Sequence, residues 1–178
     1  MKRVQGNGLL VECINPRLQK YIVRWDIKPY FHTDEETGEE IQQGYDYYEK
    51  WFTHKPTLQE VKDTVLAGMN ADIDQKILSG FVWNGMPVGL SSENQFNYKA
   101  AFDLAVQTQG ANLPVMFKFG TTEKPEYYTF YGVEELTSFY MEAMGYINQT
   151  LNEGWKAKDA MDWSEYESLL QTKGETEL

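Results

Sequence analysis

The sequence predicts an α+β fold in which N-terminal antiparallel strands come first, then helices alternating with β-hairpins, and a long C-terminal helix last. Three observations lead there. Tyr21, Val23, Trp25 and Ile27 alternate with Lys20, Arg24, Asp26 and Lys28, the period of a half-buried strand. Leu58, Val61, Val65, Met69, Ile73 and Ile77 recur at steps of three or four, the period of an amphipathic helix. Asn84-Gly85 inside "VWNGMPV" supplies the positive-φ pair of a tight hairpin.

The elements follow in chain order. "GLLVECI" at 8–14 reads as a first strand, and Pro16 in "NPR" marks a turn. The alternating run is the second strand. "HTDEETGEE" at 32–40 is an acidic connection, and "YDYYEKWFTH" at 45–54 is a third strand with aromatics on both faces. Such a strand is covered on both sides or lends one face to a partner. Pro56 closes it. Thr57 and Glu60 then form a capping box, each side chain reaching an orphan backbone N–H, and Gly80 ends the helix.

"SSENQFNY" at 91–98 puts five polar residues before Phe96 and Tyr98. It reads as a helix start: a serine caps, and Glu93 sits where the helix dipole favours it. Phe96, Ala100 and Leu104 form one row of that helix, and Tyr98, Phe102, Ala105 and Val106 another, so a sandwiched helix is expected. Gly110 ends it. "LPVMFKF" at 113–119 and "EYYTFY" at 126–131 are a second hairpin. After Gly132, Val133, Leu136, Tyr140, Met144, Ile147 and Leu151 line one face of a long helix. Trp155 and Trp163 mark where the chain folds back, and "QTKGETEL" is a polar end. A seam near Pro56 gives a strand-rich unit at 1–56, a helix and hairpin body at 57–163, and a polar tail at 164–178.

With 178 residues, 42% of them hydrophobic, the chain can bury a proper core. Its net charge of −11 opposes a nucleic-acid partner, whose phosphates reward Lys and Arg. Cys13 is the single cysteine, so neither an internal disulfide nor a thiolate zinc cluster is expected, and it reads as a buried thiol. Only Leu9, Leu10 and Val11 follow Lys2 and Arg3 as an apolar run, short of a signal peptide or of the ~20 residues of a membrane span. A reducing cytosol, or a particle assembled there, is the expected setting.

Few residues declare a chemistry. His32 and His54, with the carboxylates at 34–40, could serve a small metal-dependent hydrolase if the second and third strands brought them together, but no HxH or HxxxH spacing supports it. No nucleophile elbow or phosphate loop is present, and Asp72 and Asp74 diverge on a helix. No catalytic residue, cofactor or metal is therefore assigned. The aromatic surplus points elsewhere. Tyr45, Tyr47, Tyr48, Trp51, Phe52, Tyr127, Tyr128 and Tyr131 exceed what a small core needs, and Tyr and Trp are favoured at interfaces. These eight are the candidate interface.

The string "KILSGFVWNGMPVGLSSENQFNYKAAFDLAV", continued by "LPVMFKFG", "EELTSFY" and "INQTLNEGWKAKD", resembles a family of uncharacterised domains encoded by phages and prophages of gut bacteria, often beside tail or fibre genes. The likeness covers about residues 57–163, and the run from Trp83 to Asn97 carries it. Gly89 stands where the family has a bulky aromatic, and Gly132 where a Thr cap is usual. The resemblance implies a virion-associated tail structural or assembly protein, not an enzyme. Its partners would be other phage structural proteins or a tail fibre, with self-association open, and neither nucleic acid nor membrane. Its place would be the virion, or the bacterial host cytoplasm during assembly. A host-directed inhibitory binder is the remaining alternative.

Overall fold

The computed structural model of the protein describes residues 2–35 and 37–171. The mixed α+β order expected from the sequence is present: strands first, then helices alternating with strand pairs, with a helix of 27 residues at Val133–Asp159 near the end. The chain divides into two compact units, one comprising residues up to Ala71 together with those from Ala160, the other Asp72–Asp159. The division falls inside a helix, and not at Pro56.

The first unit holds a four-stranded antiparallel sheet of order β1-β4-β3-β2, with β1 at Val4–Gly6, β2 at Val11–Asn15, β3 at Lys20–Thr33 and β4 at Glu40–Phe52. Cross-strand partners share a face. The pairs Tyr21↔Phe52, Val23↔Lys50 and Trp25↔Tyr48 therefore lie on one side, Ile22↔Trp51 and Arg24↔Glu49 on the other. The first side packs under α1 (Leu58–Ser79) and α4 (Ser164–Gln171), with Val23, Trp25, Phe52, Val61, Val65, Tyr166 and Leu170 as its buried core. Gly68 lets α1 approach the Trp25 indole, because a Cβ there would lie 2.6 Å from Trp25 Cζ2. Residues 164–171 are thus not a polar tail: Tyr166 and Leu170 are core, and the Tyr166 hydroxyl donates to the Arg24 carbonyl at 2.7 Å. Residues 172–178 of that expected tail lie outside the described residues. Cys13 is exposed rather than buried, since β2 is an edge strand and leaves its outer positions wet.

The capping box forms as expected. The Thr57 amide and hydroxyl donate to Glu60 Oε2 at 2.8 and 2.9 Å, and the Glu60 amide donates to Thr57 Oγ1 at 3.2 Å. Hydrogen bonds from the Thr57 backbone, from His54 and from the Thr57 hydroxyl hold the Glu60 carboxyl down at about 2. A depressed carboxylate stabilises the fold above the ordinary carboxylate range and loses that contribution as pH falls toward about 2. Thr57→Ala is expected to cost about 1 kcal/mol in denaturant unfolding. The same substitution should flatten the acid limb of the stability curve.

The second unit is built from β5 (Phe81–Trp83), β6 (Met86–Val88), α2 (Ser92–Gln107), β7 (Val115–Gly120), β8 (Pro125–Phe130) and α3 (Val133–Asp159). β5–β6 and β7–β8 are antiparallel pairs. Asn84 and Gly85 take φ of 46° and 80° in the first turn, the conformation that the two residue types were expected to supply. The core is aromatic: Phe81, Trp83, Tyr98, Phe119, Phe130 and Phe139 are buried together with Leu90 and Leu136.

Candidate interaction surface

The polar run at 91–98 is a helix start. Ser91 is the cap and its hydroxyl accepts from the Asn94 amide. The Asn94 and Gln95 side-chain amides donate to the carbonyls of Gly89 and Leu90 at 2.9 and 2.7 Å. Buried carbonyls of the incoming chain thereby find partners, and these amides are committed to the fold. The helix is not sandwiched, because Phe96 is 71% exposed and Leu104 is exposed with it.

The eight expected interface residues separate into distinct groups. In the first unit Tyr47 and Phe52 are buried, so they serve the interior. Phe52 faces α1, and Tyr47 lies under the Arg24 guanidinium, 5.0 Å from its ring centre. Tyr48 is half-buried between Trp25 and Arg3. Of the five candidates on this strand only Tyr45 and Trp51 are exposed, and Trp51 Nε1 donates to Glu49 at 3.0 Å. In the second unit Tyr127 and Tyr131 are exposed. Tyr128 is not: its hydroxyl donates to Glu135 at 2.5 Å and accepts from Asn84 Nδ2 at 3.0 Å. That network ties the first hairpin, β8 and α3 together.

A larger exposed feature lies further along the same hairpin. β1 stays paired to β4 as far as Gly6↔Tyr45; beyond Tyr45 and its β3 partner Pro29, β3 and β4 continue alone as a two-stranded ribbon. A bulge interrupts the ladder between Trp25 and Lys28, with Asp26 at φ 51°. Arg3 clamps the bend, donating to Asp26 Oδ2 and Asp26 O at 2.5 and 2.7 Å and to Asp46 Oδ1 and Asp46 O at 2.7 and 2.8 Å. The ribbon then runs through Tyr30↔Gly44, Phe31↔Gln42 and His32↔Ile41 to its tip, where the Asp34 amide donates to the Glu39 carbonyl and the Gly38 amide to the Asp34 carbonyl. Every residue at 28–33 and 40–43 is exposed. Tyr30, Phe31 and Ile41 are among the large apolar residues in contact with solvent. Phe31 faces one side of the ribbon while Tyr30 and Ile41 face the other. Sequence reasoning missed them because the ribbon has no inner face, so its residues do not alternate.

The two histidines stand at opposite ends of this hairpin, roughly 35 Å apart at the rise of an antiparallel strand. His54 Nε2 is 2.9 Å from Glu60 Oε1, within the helix cap. Among the described residues no three His, Cys, Asp or Glu side chains come together as a metal site, and no helix is long and apolar enough to cross a membrane. No family model matches the chain, and neither a curated protein nor a solved structure matches it.

Proposed function

We propose that the protein is a phage virion-associated structural or assembly protein of the tail, acting by protein–protein interaction through the β3–β4 ribbon. The observation that carries the interaction is the ribbon's exposure on both faces. An isolated two-stranded hairpin is marginal in water and gains stability when a further surface covers it. Covering what remains exposed of Phe31 and Ile41, about half of each, is worth about 1 kcal/mol apiece, and Tyr30 adds area with a polar tip. Arg3 fixes the angle at which the ribbon leaves the sheet, so less ordering remains for the moment of binding. The phage setting rests on the likeness of residues 57–163 described above.

Mass spectrometry of particles purified from a lysate encoding this chain is expected to find it as a component, or a fibre pull-down to retain it. The double substitution Phe31→Ser and Ile41→Ser should leave the fold intact and lower that association by at least about tenfold, the equivalent of 1.4 kcal/mol. Absence of the chain from purified particles and from every fibre pull-down overturns the assignment.

A further inference from the structure

At the root of the ribbon, where β1 meets β4, lies an open cleft of about 490 Å3, within the range of about 300–1,000 Å3 usual for small-ligand sites. Tyr30 and Tyr45 contribute its aromatic surface, and Gln5, Asn7 and Gln43 contribute side-chain amides. Gly6 and Gly44 complete the lining. None of these residues is charged. From this combination we infer that the cleft binds a neutral saccharide.

The chemistry of the lining selects the ligand. A sugar presents C–H faces that lie on aromatic rings, and hydroxyls that each donate and accept. Tyrosine offers an apolar face with a polar tip, and a side-chain amide both donates and accepts. The amides of Gln5 and Gln43 and the hydroxyls of Tyr30 and Tyr45 make no hydrogen bond to other described residues. Asn7 is instead held in place, accepting from the Leu9 amide at 3.2 Å and donating to Glu12 at 3.4 Å. The ring of Tyr45 is also fixed, because Gly8 packs on it so closely that a Cβ would lie 2.6 Å from Cδ2. Gly44 plays a similar part: a Cβ there would come 3.1 Å from the Gly6 carbonyl oxygen, so its absence keeps β1 close and the floor shallow.

Other ligand classes fit less well. An anionic ligand would call for an arginine or lysine, and a nucleotide would bring phosphates to a lining with no cation. A peptide adding as a strand would pair with backbone along the outer edge of β1 and would leave the side-chain amides of the cleft unused.

The test is an amide-resonance titration of the 15N-labelled full chain with chitobiose, maltose, lactose and cellobiose, with sialyllactose and trialanine as comparison probes. The expected result is a set of shifts centred on Gln5, Gly6, Gln43, Gly44 and Tyr45 with at least one neutral disaccharide. Binding should weaken by about tenfold or more in Tyr30→Ala and in Gln43→Ala, two exposed positions whose replacement leaves the remaining spectrum unchanged. The assignment is overturned by silence toward all four disaccharides up to about 10 mM, by shifts centred elsewhere, or by a stronger response to sialyllactose or trialanine. An unchanged affinity in both variants overturns it as well.

Discussion

Replacing Phe139 by alanine is expected to destabilise the unit Asp72–Asp159 by about 3–5 kcal/mol, the range for a buried phenylalanine. Phe139 is fully buried on α3. Its ring centre lies 5.4 Å from Trp83, 5.0 Å from Tyr98, 5.4 Å from Phe119 and 5.1 Å from Phe130, with Phe81 and Phe117 just beyond 6 Å. One side chain thus joins β5, α2, β7, β8 and α3. Truncation removes transfer free energy and leaves a hole that rigid neighbouring rings fill poorly. The range of about 3–5 kcal/mol already contains the lost ring pairs, which puts this site toward its upper end. Set against a domain stability of about 5–15 kcal/mol, this is enough to unfold a sizeable fraction of the unit in mild denaturant. Phe139→Leu, which keeps most of the volume, should cost clearly less. Urea unfolding followed by tryptophan fluorescence reads both. A loss below about 1 kcal/mol for the alanine variant would mean that the cluster repacks freely.

That cluster was only partly legible from residue types. Leu136, Tyr140 and Ile147 marked the inner face of α3 by their spacing, and the Thr57–Glu60 cap and the Asn84-Gly85 turn were readable because each is local. Other features depend on partners far away in the chain. β1 is three exposed residues, and no pattern that short separates a strand from a loop; it exists because β4 offers an edge and Arg3 finds Asp46 across 43 positions. α4 looked polar, and its burial rests on Tyr166 reaching the Arg24 carbonyl 142 residues away. In β4, Tyr45, Tyr47 and Trp51 alternate with Tyr48 and Phe52, so aromatic content alone could not say which ring is inside. Register decides that, and register is set by the bulge at Trp25 and Lys28. The ribbon beyond it has no hidden face, and so no period to find.

Arg24→Met is expected to cost the first unit about 3 kcal/mol, the lower end for breaking a buried ion pair, because its two carboxylate partners keep some access to water. Arg24 is nearly fully buried on the sheet face opposite α1. Its Nη2 donates to Glu12 Oε2 at 2.7 Å and its Nη1 to the Leu9 carbonyl at 3.0 Å. Its Nε is 3.4 Å from Glu49 Oε2, within ion-pair reach but without hydrogen-bond alignment. Methionine keeps much of the stem volume but loses the guanidinium that lies over the Tyr47 ring, so a share of the cost that does not depend on pH goes with the ion pairs. What it leaves is two carboxylates and a carbonyl without their shared donor. The pH dependence identifies the cause. The hydrogen bond from Arg24 holds the Glu12 carboxyl below its ordinary range, so this contribution is present above the ordinary carboxylate pKa and is lost as pH falls through the lowered one. The gap between wild type and Arg24→Met should therefore be widest near neutrality and narrow in acid. Adding Glu12→Gln and Glu49→Gln to Arg24→Met should recover part of the loss, since no unpaired charge then remains. The surface pair Lys99–Asp103, at 57% and 40% exposure, is the comparison: Lys99→Met should change stability by no more than about 0.5 kcal/mol. A gap for Arg24→Met that is independent of pH would place the cost in lost packing over Tyr47, and the guanidinium would then not be the device that holds β2, β3 and β4 together.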